Sequence, residues 1–341
     1  MSYAVFIARL QPLHKAHQKI ILSAFNEADK VIVAIGSYRR SPTIRNPWTF
    51  QERSAMVYAA IPEILHSRLI VIPLRDFMYS ENSWIVSVQN AVTSIVGEDD
   101  VKLVGSFKDD SSYYLDCFPQ WKLIRHPLYD NMHATDVRHS LFSGTDDWKD
   151  MVPGEMLIYL SLFRKKTLDA ESATRYENLV KEFEFIENYK KQWDGAPFPP
   201  VFVTTDAVVI QSGHVLLVKR KFNPGKGMYA LPGGFISQTQ SIFDSAIREL
   251  YEETAIMVPK EIIRRSCADS RVFDHPKRSL RGRTVTHAYF FNLDEAKSLP
   301  HVKGEDDAES ALWMPIGELA LHEESFFEDH LYIIQHFVNR A

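Results

Sequence analysis

Two places in this 341-residue chain gather side chains that manage negative charge. Near the amino end, Arg9, His14, Lys15 and His17 are close in sequence, two imidazoles with a lysine between them. Near the other end, Glu249, Glu252 and Glu253 stand at i, i+3 and i+4, directly after Arg248. On a helix that spacing puts three carboxylates on one face, where they repel unless a divalent cation neutralises them, and hard oxygen donors suit Mg2+ or Mn2+. The amino-terminal set does the opposite. Backbone N–H groups and the positive dipole end at a helix start already face an anion, and imidazoles and cations there would complete a phosphate site. Each set also has a plainer reading, surface histidines beside a turn or an acidic solvated face, so the elements carrying them matter.

Residues 3–8 are an apolar run of strand length, and Pro12 interrupts it. From His14 onward Ile20, Ile21, Ala24, Phe25 and Ala28 recur at helical spacing, placing His14, Lys15 and His17 in a first helical turn. Residues 30–35 form a second strand whose unbroken apolar character favours a parallel sheet covered on both faces. Thr49 and Glu52 have capping-box spacing, so a helix starts there; a strand at 69–73, a helix at 83–96, a strand at 101–105 and a fifth around Leu123-Ile124 follow. Strict alternation predicts an α/β domain with a doubly wound parallel sheet, its ligand beyond the carboxyl ends of the strands. A helix then begins at Pro153-Gly154, and Tyr176, Leu179, Val180, Phe183, Ile186 and Tyr189 stripe a second as a docking helix. Residues 195–200, rich in Gly and Pro, break regular structure. Beyond them, 201–211 and 215–220 flank Ser212-Gly213-His214 as a hairpin, and Leu231-Pro232-Gly233-Gly234 leads to a helix with Ile242, Ala246, Leu250 and Thr254 on its inner side. The expected division is residues 1–165, a helical linker 166–200, and a smaller α+β domain 201–341.

The net charge of −5 and pI of about 6.2 argue against a general nucleic-acid binder while leaving mononucleotides open. Two cysteines in so long a chain, Cys117 and Cys267, indicate a reducing compartment rather than a disulfide scaffold. No apolar run is long enough for a membrane span and no signal-type core opens the sequence, so a cytoplasmic protein is expected, its self-association left open.

The stretch 9–17 resembles the nucleotidylyltransferase signature, in which a G-R-F-Q-P-like loop runs into H-x-G-H; Ala8, Leu10 and Ala16 depart from it. Residues 46–53 (N-P-W-T-F-Q-E-R), the segment from Pro73 to Trp84, and 132–138 (M-H-A-T-D-V-R) resemble, in the same order, segments of the nicotinamide mononucleotide (NMN) adenylyltransferases of the archaeal and related bacterial type. That resemblance implies Asn82 and Trp84 at the nicotinamide, His17 at the α-phosphate of ATP, His14 and Arg138 at the β- and γ-phosphates, Arg9 with Lys15 in the surrounding phosphate field, and Thr135 as a hydroxyl donor. Unaided, the chemistry allows the same: a tryptophan face attracts a pyridinium and an amide side chain can both donate to and accept from a carboxamide. Trp84 as core and Arg138 as a surface ion pair are the plainer alternatives.

Gly234, Arg248, Glu249, Leu250, Glu252, Glu253 and Ile256 resemble the Nudix box in register, with Gln240 for its first Glu and Ala255 for its last Gly. Gln240 removes a negative charge, one that normally supports the box through a partner such as Arg248. The resemblance implies Gly234, Glu249, Glu252 and Glu253 around Mg2+, or Mn2+. Segments near Phe273, Arg281 and Asp306 resemble the ADP-ribose-hydrolysing branch, with Arg281 and Arg283 meeting phosphate or ribose, or standing as surface cations, and Glu305, Asp306 or Glu309 as an additional base. Together these imply a fusion of an NMN adenylyltransferase with a Nudix ADP-ribose pyrophosphatase: one half makes NAD and pyrophosphate from NMN and ATP, the other cuts ADP-ribose to AMP and ribose 5-phosphate. Two alternatives are nicotinate mononucleotide as acceptor, and a second half that binds ADP-ribose without hydrolysing it.

Overall fold

Five short strands run side by side in the first half of the chain: β1 (Ser2–Ala8), β2 (Lys30–Ile35), β3 (Leu69–Pro73), β4 (Asp100–Gly105) and β5 (Lys122–Arg125). They are all parallel, in the order β3-β2-β1-β4-β5. The chain winds outward from β1 to β3 and then crosses to β4, so the order reverses between β1 and β4, where a crevice opens at the carboxyl ends. Burial alternates by face: Ala4 and Phe6 join one core with α1 (Lys15–Ala24) and α2 (Phe50–Ala60), while Tyr3, Val5 and Ile7 join another with α3 (Glu81–Val96). The coordinates are a computed structural model describing residues 1–107, 110–127 and 132–338.

Local signals explain the element starts. Thr49 caps α2 reciprocally: its Oγ1 accepts the Glu52 N–H at 3.2 Å while Glu52 Oε2 accepts the Thr49 N–H at 2.7 Å. Helix α1 ends at Ala24, earlier than the apolar stripe suggested, although Phe25 and Ala28 remain buried beyond it. After β5 come α4 (Ala134–Ser143), α5 (Trp148–Met151), α6 (Gly154–Arg164) and the long α7 (Ala170–Lys191). Tyr176, Leu179 and Phe183 of α7 belong to the core that holds Phe142 and Phe163. The chain accordingly divides into Met1–Phe183 and Glu184–Ala341. Residues 166–183, expected in a separate linker, are part of the first unit, because the apolar stripe of α7 has its burial there.

The second unit is built on a mixed sheet. Strands β6 (Val201–Gln211), β7 (His214–Arg220), β10 (Cys267–Phe273), β11 (Arg283–Asn292) and β12 (Ala308–Pro315) lie in the order β10-β11-β6-β7-β12, with β8 (Tyr229–Ala230) paired to β7 and β9 (Gly233–Phe235) to β6. Only Ser212 and Gly213 turn between β6 and β7, both at positive φ (46° and 73°), and His214, expected in the turn, opens β7. Helix α8 (Ile242–Thr254) lays Ile247 and Leu250 against Ala207, Val209 and Leu216 of the sheet. Two further helices, α9 (Lys260–Arg265) and α10 (His330–Val338), complete the unit. No helix among the described residues is long and apolar enough to cross a membrane.

Candidate active sites

Leu10 takes the chain off β1 in a left-handed conformation (φ 51°), and Gln11 fastens the loop, its Nε2 donating to the Trp48 carbonyl at 2.9 Å and its Oε1 accepting the Trp48 N–H at 3.1 Å. The loop delivers His14 to the cap position of α1. His14 and His17 stack with ring centroids 3.6 Å apart, and His17 Nδ1 accepts the His14 N–H at 3.4 Å. In the neutral ring that contact leaves Nε2–H of His17 as the donor. From α4, Arg138 reaches the same loop: Nη1 donates to the Gln11 carbonyl and Nη2 to Thr135 Oγ1 at 3.1 Å. Burial first, then the charges of Arg9 and Arg45, brings the Arg138 guanidinium down to about 9. Arg9 and Arg45 are thus near enough to repel the Arg138 guanidinium, a field that a polyphosphate would relieve.

Several residues behind this cradle were not picked out as site residues from sequence. Arg45 is one, discernible only as a cation just before Asn46-Pro47. Arg53, 1% exposed, donates to the carbonyls of Gly36 at 2.6 Å, Arg9 at 2.7 Å, Thr49 at 3.1 Å and Ser37 at 3.2 Å, tying the ends of β1 and β2 to α2. Asp76, after β3, accepts the Ser37 N–H at 3.1 Å and hydroxyl at 2.8 Å. Trp84, in the first turn of α3, meets Tyr114 and Phe118 at 6.0 and 5.9 Å, and the Tyr114 hydroxyl donates to the Ile7 carbonyl at 3.1 Å. Those contacts hold the half-buried Trp84 beside the last residues of β1; Asn82 is exposed at the same helix start. Lys15 Nζ donates to the carbonyl of Asp150 in α5 at 2.6 Å.

In the second unit, Gly233 and Gly234 let strand and helix approach. A Cβ on Gly233 would fall 2.2 Å from the Thr205 carbonyl oxygen, and one on Gly234 would fall 2.9 Å from the Glu249 carboxylate. Glu253, 7% exposed, accepts the Gly233 N–H at 3.0 Å. Arg248 bridges the other two acids, Nη2 to Glu249 Oε1 at 2.8 Å and Nη1 to Glu252 Oε2 at 2.6 Å, while its Nε donates to Gln240 Oε1 at 3.2 Å. Gln240 thus keeps a hydrogen bond to Arg248 without adding charge. As placed, the three carboxylates do not surround one point: among the described residues no three His, Cys, Asp or Glu side chains form a metal-holding group. Their chemistry nevertheless fits a hard divalent cation. Burial, with Glu252 and Asp306 adding to it, holds the Glu249 carboxyl above its usual range, and burial, then Glu249 and Asp307, pushes Glu253 up to about 8. A divalent cation would favour the ionised forms of these buried acids.

Around them, Arg220 is pulled below its ordinary value by burial and then by Arg281, with Glu253 acting the other way, so two cations and the acidic helix share one region. Arg220 escaped the sequence reading because the end of a strand gives no hint of what faces it. Arg283 is turned elsewhere, donating to the Asp274 carbonyl. Arg278, 4% exposed, clasps the fully buried Asp329 at 2.9 and 3.0 Å, and the Leu231 N–H bonds to His330 Nδ1 at 2.9 Å, bracing the turn into Gly233 from α10.

Both halves of the chain match known proteins. A cytidylyltransferase-like family model matches residues 5–140 and a NUDIX domain model matches 201–337. A Francisella tularensis structure described as a bifunctional NMN adenylyltransferase/ADP ribose pyrophosphatase complexed with AMP and Mn ion is 33% identical, superposes with a TM-score of 0.91, and is covered over 99% of its length by 99% of this chain. The chain belongs to this bifunctional family. Individual relatives of the adenylyltransferase half include the Acinetobacter baylyi nicotinamide/nicotinic acid mononucleotide adenylyltransferase, 35% identical over 42% of this chain and 77% of its own, and the Pyrococcus furiosus nicotinamide-nucleotide adenylyltransferase, 30% identical over 54% and 96%. Gln240 and Ala255 are the positions at which this chain departs from the Nudix box. Ala255 still adopts the left-handed conformation at the end of α8 that its glycine counterpart would supply at no steric cost (φ 42°, ψ 35°).

Proposed function

We propose that the first unit transfers the adenylyl group of ATP to NMN, giving NAD and pyrophosphate, and that the second hydrolyses ADP-ribose to AMP and ribose 5-phosphate. The observation carrying this is the likeness to the Francisella bifunctional structure over 99% of both chains. For the transfer, the NMN phosphate attacks the α-phosphorus while the bond to the β-phosphate oxygen breaks. A monoester with second pKa of about 6 is already ionised, so no base is needed and catalysis reduces to placement and charge stabilisation. His17 donates to the α-phosphate, His14 and Arg138 hold the outer phosphates with Arg9 and Arg45 beside them, and Asn82 with Trp84 takes the nicotinamide. His17→Ala should lower turnover far more than ATP affinity, measured by pyrophosphate release; unchanged turnover rejects that role. The name of the Acinetobacter relative covers both nicotinamide and nicotinic acid mononucleotides, which favours testing both acceptors in the same assay.

For the hydrolysis, Glu249, Glu252 and Glu253, with the Gly234 backbone against Glu249, would hold Mg2+ or Mn2+; the Francisella structure is described as complexed with AMP and Mn ion. A divalent cation supplies neutralisation of the diphosphate and a more acidic water. Gly233 N–H orients Glu253, Arg248 positions Glu249, and Arg220 and Arg281 face the diphosphate. Incubation with ADP-ribose and Mg2+ should release AMP, and Glu252→Gln should abolish that release. No AMP from the unaltered protein would leave a binding module in place of a hydrolase.

A further inference from the structure

The stretch 36–49 joins β2 to α2 without a helix or sheet strand of its own, yet it carries Arg45, whose charge is felt at Arg138. A segment of that kind keeps one conformation only where side chains tie it down. Near its start Ser37 is tied to Asp76, and near its end Trp48 is tied to Gln11. Between them the chain turns back, the Asn46 N–H donating to the Thr43 carbonyl at 3.0 Å and to the Thr43 hydroxyl at 3.3 Å. Arg45 stands inside that four-residue turn. The N–H beside it, that of Ile44, donates to Glu182 Oε2 of α7 at 2.9 Å. Two turns earlier on the same helix, Arg175 donates to Glu52, which also accepts the Tyr159 hydroxyl at 2.9 Å and the Thr49 N–H at 2.7 Å. Helix α7 thus grips the segment 43–53 at two places, although the cytidylyltransferase-like model ends at residue 140.

We infer that Glu182 is a positioning residue for adenylyl transfer: by holding the Ile44 N–H it fixes the Thr43–Asn46 turn, and with it the Arg45 guanidinium beside Arg138, where nucleotide phosphates bind. Packing does not call for a carboxylate there. Glu182 is only 5% exposed and lies on the stripe of Leu179 and Phe183, where an apolar side chain would fill the space without the cost of taking an acid out of water. What the carboxylate adds is a directional bond to one backbone N–H of the turn. A cation meant for a phosphate gains from being held in place before the substrate arrives, because small displacements are costly to catalysis. Residues 166–183, expected from sequence as linker, then belong to the transferase site as well as to its core. This rests on the transferase reading of the first unit.

The test compares Glu182→Asp, which keeps the charge and withdraws the acceptor by one methylene, with Glu182→Gln, which keeps the reach and an acceptor oxygen without the charge. Each is made alone and together with Arg45→Ala. Pyrophosphate release gives kcat and KM for ATP and for NMN, and equilibrium dialysis gives ATP binding without turnover. Positioning through Arg45 predicts that Glu182→Asp lowers kcat/KM on the order of 10-fold, that Glu182→Gln stays within about threefold of the unaltered protein, and that Glu182→Asp adds less than about twofold once Arg45→Ala is present. A merely structural role predicts the same factor in both backgrounds, and that result overturns the inference. So does full activity in Glu182→Asp, or a loss in Glu182→Gln as large as that in Glu182→Asp. If the unaltered protein releases no pyrophosphate from ATP and NMN, the transferase reading fails. ATP dialysis then decides the inference: Arg45→Ala and Glu182→Asp should both weaken binding, and unchanged affinity in either overturns it.

Discussion

Ala255 should be replaceable by glycine with a gain in stability, because the fold holds it where alanine is strained. It ends α8 at φ 42° and ψ 35°, with its N–H bonded to the Tyr251 carbonyl at 3.0 Å. A left-handed conformation costs an L-residue about 1–2 kcal/mol through the clash of Cβ with the carbonyl oxygen. Glycine removes that cost but gives back about 0.4–1 kcal/mol in unfolded-chain freedom. The difference leaves Ala255→Gly more stable by ~0.5–1 kcal/mol, since both terms act on a single backbone position. With a urea slope of about 2 kcal/mol/M, the midpoint of the second unit should rise by ~0.3–0.5 M. The assay is urea unfolding of the full chain followed by a signal from the second unit, with ADP-ribose hydrolysis in parallel. Activity should hold, since the Thr254 carbonyl accepts the Lys303 N–H at 2.8 Å and the Glu253 carbonyl the Glu305 N–H at 3.1 Å, fixing the helix end whichever residue follows. A lower midpoint would refute the strain argument and show the Ala255 methyl to be a packing group.

At the Gly-Gly turn, Gly234→Ala should preserve folding, because the flexible Glu249 carboxylate can give way, yet lower hydrolysis at least tenfold; Gly233→Ala meets the Thr205 carbonyl and Asp206 backbone and should destabilise the unit itself, as a melting curve would separate. Asp329→Asn leaves the buried Arg278 cation without its counter-charge and should cost roughly 3–5 kcal/mol in chemical denaturation, an effect absent if the pair is solvated. Glu253, raised to about 8 chiefly by burial, stays protonated in the metal-free folded chain where the unfolded chain ionises near 4.5. The folded state thus binds more protons between those values, so this group's stabilisation is complete below 4.5 and is lost as pH rises through about 8. Glu253→Gln should flatten that part of the stability–pH curve; an unaltered slope would assign it to other groups.

What could be read from the sequence was what neighbouring residues decide among themselves. Thr49 and Glu52 cap each other across one helical turn, Ser212-Gly213 lies in the hairpin turn between β6 and β7, and the unbroken run at β2 announces a strand buried on both faces. His14 and His17 stack because three residues of helix bring them together. Charge partners joined across the fold stayed hidden. Lys15 has the composition of a phosphate ligand and bonds to Asp150, which nothing within one turn of it could indicate. Arg53 and Arg220 differ from surface arginines only in what converges on them, strand-end carbonyls for one and Glu253 with Arg281 for the other. Periodicity fixes which face an arginine occupies but not which distant loop returns to meet it. The motifs therefore pointed to both candidate sites, while the side chains that brace them depend on contacts that only the folded chain makes.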